Sequence, residues 1–92
     1  MPWTVEVHRR VQRQIAALPV RVQQSLVALL RDIEATGPVR GNWPHYSSLE
    51  RGRHHCHLKR GRPTYVAVWE VRDRVQQLVE VTYVGTHERA PY

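Results

Sequence analysis

Apolar and polar residues alternate at the start of the chain, Trp3, Val5 and Val7 against Thr4, Glu6 and His8. A period of two marks a strand with one buried face. After Arg9 the spacing lengthens: Val11, Ile15 and Leu18 recur at steps of four and three, the stripe of a short helix that Pro19 interrupts. Pro19 suits the first turn of a second helix, where a missing N–H costs no hydrogen bond. There Val22, Leu26, Leu29, Leu30 and Ile33 make the apolar face, Arg21, Gln23, Gln24, Arg31, Asp32 and Glu34 the polar one, and Gly37-Pro38 ends the run.

Residues 37–52 are rich in glycine, proline and serine and read as an irregular loop, with Trp43 and Tyr46 pinning it to the body. Three strand-like runs follow, at 54–60, 64–71 and 75–83. The short connections Gly61-Arg62-Pro63 and Arg72-Asp73-Arg74 suit hairpins. The pattern thus predicts one α+β domain over residues 1–92: an N-terminal strand, a two-helix antiparallel hairpin, then a three-stranded antiparallel meander with the helices packed on one sheet face. The opposite face is left open for a ligand.

Composition narrows the class. Hydrophobic residues make up 41% of the 92, and no apolar run approaches the roughly 18 residues that span a bilayer. The first residues lack a basic segment followed by an apolar one, so the expected location is the cytoplasm, with no membrane partner. The single cysteine, Cys56, has no partner for an internal disulfide and no CxxC mate for a zinc knuckle. Lysine and arginine number 14 against 8 acidic residues, a formal charge of +6 that favours a polyanion or an acidic protein as partner.

Two polar clusters carry the candidate chemistry. In the first meander strand, alternation sends His55, His57 and Lys59, with Arg53 extending the row, to the open face. His54, Cys56, Leu58 and Arg60 are sent to the other. The second cluster is terminal: Gly85 lets the chain leave the last strand so that His87, Arg89 and Tyr92 fold back across the open face. Cleavage of RNA by its own 2′-OH needs a base, cations for the phosphorane and an acid for the departing oxygen, and histidine, lysine, arginine and tyrosine supply all three. A solvated strand face and a frayed terminus are the plain alternatives. His55 and His57 with His87 would give three metal ligands, but Arg53, Lys59 and Arg89 would repel a cation, so neither metal nor other cofactor is expected. Glu70 and Glu80 are surface or sheet-face residues, and Trp69 and Tyr83 favour packing over base stacking.

The order of elements, the basic charge, the run Tyr65-Val66-Ala67-Val68-Trp69-Glu70-Val71 and the closing Val84-Gly85-Thr86-His87-Glu88-Arg89 resemble the RelE/ParE superfamily of toxin–antitoxin toxins, on the side of the RelE and HigB mRNA interferases. The resemblance implies a RelE-like fold and metal-independent cleavage of ribosome-bound mRNA. It implies His55 or His57 as general base, His87 as general acid and Tyr92 as a second acid or a base-stacking group. Arg53, Lys59, Arg60, Arg62 and Arg89 would hold phosphate. Implied partners are mRNA, the ribosome, an acidic antitoxin with a helix-turn-helix domain, and promoter DNA through the antitoxin complex. Histidines replace the lysines common at the strand positions, and the chain stops at Tyr92 with no C-terminal helix. A ParE-like gyrase inhibitor without catalysis, and an inactive homologue that only binds antitoxin and DNA, are the competing functions.

Overall fold

The computed structural model describes residues 2–91. Strand β1, Thr4–Val7, leads into helix α1, Arg9–Ala16, and His8 caps the helix by accepting from the Arg10 N–H through Nδ1 at 3.1 Å. Helix α2, Val20–Thr36, starts directly after Pro19, which sits at the cap rather than in the first turn. Val22, Leu26, Leu29 and Ile33 are buried along its stripe. Gly37 ends α2 with φ at +100°, and an added Cβ there would lie 3.1 Å from the Trp3 indole nitrogen, so both backbone and space call for glycine.

The sheet has five strands in the order β1-β5-β4-β3-β2, one more than the hydrophobic pattern predicts. The extra strand is β2, Ser47–Ser48, which pairs antiparallel with β3, Arg53–Lys59. It lies within the stretch expected to be pure loop, and two polar residues carry no periodic signal. Strands β4, Tyr65–Asp73, and β5, Leu78–Thr86, complete the antiparallel meander, and β1 adds to β5 in parallel. β5 starts three residues later than expected because residues 74–77 form the turn. The Asp73 carboxylate accepts from the Gln76 N–H at 2.9 Å, Gln77 takes a φ of +54°, and Val75 stands 94% exposed at the tip.

Both helices pack on one face of the sheet, as the pattern predicts. Val11, Val22, Leu26, Leu29 and Ile33 meet Cys56, Leu58, Ala67, Trp69, Val79, Val81 and Val84 in one buried cluster. Trp69 is fully buried, and its indole N–H donates to the Pro38 carbonyl at 2.9 Å. Burial pushes the Cys56 thiol up to about 12, leaving it protonated and inert.

The other face is not bare. Val66 and Val68 are buried yet stand outside the helix-facing cluster. In register they lie between His57 and His55 on β3 and Gly85 and Tyr83 on β5. The polar side chains of this face therefore rest on an apolar floor. Farther along, Arg72 donates to Glu80 at 3.0 Å and pairs with Glu70 at 3.4 Å, which makes both carboxylates partners on the sheet.

Candidate active site

Alternation along β3 puts Arg53, His55 and His57 on the face away from the helices, while His54, Cys56 and Leu58 are buried toward them. At the far end of β5, Thr86 passes into a single turn of 3₁₀ helix, His87–Arg89. The His87 N–H donates to the Thr64 carbonyl at 2.8 Å, so the chain end is tied across to the β3–β4 connection. The imidazole of His87 meets that of His57 edge-on at a ring-centre distance of 5.5 Å, and His55 lies 6.1 Å from His57. Arg53 reaches the Pro91 carbonyl at 3.4 Å, closing the other side. Tyr92 lies outside the described residues.

A fourth imidazole joins this cluster. His45, in the loop before β2, stacks on His57 at 4.3 Å. The loop is fastened at three points: Trp43 donates through its indole N–H to Asp32 at 2.8 Å, Tyr46 bonds His54 Nδ1 at 2.7 Å, and the His57 N–H donates to Pro44 O at 2.8 Å. His45 itself adopts a φ of +52°, an uncommon conformation that turns its ring over β3. Ser47, on β2, bonds His55 Nδ1 at 2.8 Å. Neither His45 nor Ser47 was singled out by the sequence pattern; the one available signal was a histidine between Pro44 and the anchoring Tyr46.

Burial is the main cause that lowers the pKa of both His55 and His57 below the ordinary histidine value of 6.5. At His57 the neighbouring His45, His87, His55 and Arg60 lower it further; at His55 a hydrogen bond with the Ser47 backbone raises it, while His87 and His45 lower it. The two rings are thus held in the neutral, proton-accepting form near pH 7.

The basic residues divide in a way alternation did not foresee. A register shift falls between His57 and Lys59, so that Lys59 pairs with Tyr65, whose ring packs toward the helix-facing core. One inserted residue inverts the alternation. Lys59, expected beside His57, is therefore turned off the histidine face. Arg60, expected on the helix side, instead bonds His45 Nε2 at 3.1 Å and joins the cluster. Arg62 is exposed in the hairpin. Arg89 borders a separate groove of about 620 Å³ with Gln14, Leu18, Tyr65 and Tyr83, beside α1. Tyr83 packs against the chain rather than offering a free ring: its hydroxyl donates to Thr86 O at 2.7 Å, and a Cβ on Gly85 would stand 2.6 Å from its oxygen. Among the described residues no group of three or more histidine, cysteine, aspartate or glutamate side chains is arranged to hold a metal ion.

Two helices on one face of a five-stranded mixed sheet give this chain an α+β fold that matches solved RelE structures. The archaeal RelE–RelB complex of Pyrococcus horikoshii is similar over 98% of this chain and 100% of its own, with a TM-score of 0.70 and 14% identity. The free Escherichia coli RelE toxin, in a mutant with two arginines replaced by alanine, matches over 96% of this chain and 86% of its own, at 0.72 and 19%. The RelBE2 toxin–antitoxin complex of Mycobacterium tuberculosis matches over 95% of this chain and 100% of its own, at 0.65 and 22%. No protein-family model matches the chain, and no curated protein matches it by sequence.

Proposed function

We propose that the protein is a RelE-like toxin that inhibits translation as an endoribonuclease on ribosome-bound mRNA. The observation that carries this reading is the convergence of His55, His57 and His87 over one apolar floor, flanked by Arg53 and Arg60. The reaction needs no more than these groups. A neutral imidazole, His57 in first place and His55 beside it, accepts the proton of a 2′-OH, and the freed oxygen attacks the adjacent phosphorus. The P–O5′ bond breaks as His87, in its protonated form, donates to the leaving oxygen. The products are a 2′,3′-cyclic phosphate and a 5′-hydroxyl, with protons in balance. Arg60 and Arg53 offer fixed positive charge to the phosphorane, where it strengthens as the transition state forms.

Partners follow from charge and from relatives. The net charge of +6 suits mRNA and an acidic antitoxin alike, and two of the similar structures are toxin–antitoxin complexes. No helix among the described residues is long and apolar enough to cross a membrane, and the proposed place of action is wherever ribosomes translate.

Purified protein added to translating ribosomes tests the reading. Wild type is expected to cut the message, and His87→Ala to cut about 10² to 10⁴ times more slowly while binding RNA with similar affinity. Equal cutting by wild type and His87→Ala removes His87 as the acid. Intact message together with blocked DNA supercoiling by gyrase would favour the ParE-like alternative.

A further inference from the structure

His45 has no part in the proton transfers just described, yet it makes the closest ring contact to His57, at 4.3 Å between centres and 24° between planes. Its other edge meets Arg60, whose guanidinium can only donate, so His45 Nε2 must accept and the ring proton lies on Nδ1. The ring is therefore fixed in tautomer and in plane, and the loop that carries it is anchored to α2 by Trp43 and to β3 by Tyr46 and Pro44. A loop fastened this firmly, with a non-glycine residue in left-handed conformation at its tip, holds a side chain in place rather than merely linking two elements.

We infer that His45 is a positioning residue for RNA cleavage: stacked on His57 and tied to Arg60, it fixes the plane of the His57 ring, shields it from water and aligns the Arg60 guanidinium with the same phosphate. The inference rests on the endoribonuclease reading for its purpose, though not for its physics. The charged and titratable groups that act on His57 belong to this arrangement: His55 on its own strand, His87 from the turn after β5, His45 from the loop, and Arg60 just past β3. From β4 and β5 the facing residues are Val66 and Gly85, which are uncharged. Burial is the largest influence holding His57 below the ordinary histidine range. The ring stacked at 4.3 Å covers one face of His57 and contributes to that burial. Arg60 keeps further N–H donors while it holds His45, so it can bind a phosphate oxygen without releasing the ring.

The test combines a titration with a rate profile. In ¹⁵N-labelled protein the His57 ring resonances are followed with pH in wild type, His45→Ala and His45→Phe. Removing the ring exposes His57 to water and is expected to move its midpoint upward. Phenylalanine keeps a stacked ring and is expected to return the midpoint most of the way, which also guards against loss of fold in the alanine variant. In the ribosome assay the acid limb of the cleavage profile should shift upward with the His57 midpoint in His45→Ala, so that the variant loses several-fold more activity at pH 6 than at pH 8. A His57 midpoint that is the same in wild type and His45→Ala overturns the role of His45. Failure of the endoribonuclease reading looks different: wild type leaves the message whole, while the titration, made on free protein, still gives its own answer.

Discussion

At the scale of single residues, the contacts around Tyr83 and Gly85 show how closely the end of β5 is specified. The Tyr83 hydroxyl folds forward to the Thr86 carbonyl and occupies the space a side chain at residue 85 would need. Gly85→Ala must push the ring aside or bend the strand just before His87. Overpacking of this kind costs about 1–3 kcal/mol. Urea unfolding should show a loss in that range together with reduced RNA cleavage; a variant as stable as wild type would contradict the packing. The sequence marked Gly85 as the point where the chain could leave the last strand, whereas it stays paired with Val66 and β5 runs on to Thr86. That Tyr83 rather than a ligand fills the space was not legible, because residue spacing does not reveal where a ring turns.

Among the elements, β3 is the one whose reading changes the chemistry. Alternation correctly separated His55 and His57 from Cys56 and Leu58, because a strand with one buried face repeats every two residues. It failed past His57, where the register shift exchanges the sides of Lys59 and Arg60. No residue type in this run announces a bulge, so the pattern extrapolated through it. The consequence is measurable: Arg60→Ala should lower cleavage on the order of tenfold or more, as loss of a charge-stabilising donor does. Lys59→Ala should have a small effect on the rate. Equal losses from the two would mean that the bulge does not separate their roles. The loop before β2 was opaque for a related reason. Its anchors, Trp43 and Tyr46, could be read from their size, whereas His45 reaches the site only through a φ of +52° that sequence does not display.

For the molecule as a whole, the histidines of β3 set how stability depends on pH. His54 is buried, stacked at 5.9 Å on both Tyr46 and Trp69, and burial lowers its pKa, with Arg74 adding to the effect. His55 and His57 are lowered as well. A folded-state value below 6.5 means that the unfolded chain binds more protons in this window, so stability rises with pH there. The contribution is complete above 6.5 and is lost as pH falls through the folded values. The urea midpoint should thus decline on acidification from about pH 7.5 to about pH 5, and His54→Phe should flatten that decline. A midpoint flat across the same interval would contradict the burial of these rings.

The overall order of strands and helices was legible because helix and sheet periods differ and each element buries one face. The parallel pairing of β1 with β5 was not, since it depends on where the helical hairpin delivers the next strand. Convergence of the two histidine runs follows from that topology: β4 alone separates β5 from β3, and the turn after β5 bonds back to Thr64. The most direct test of the central claim is to map the ends of mRNA cut on ribosomes by wild type, His57→Ala and His87→Ala. Wild type is expected to leave 2′,3′-cyclic phosphate and 5′-hydroxyl ends, and either variant to cut almost nothing. Cutting by both variants at the wild-type rate, or ends bearing a 5′-phosphate, would contradict that claim.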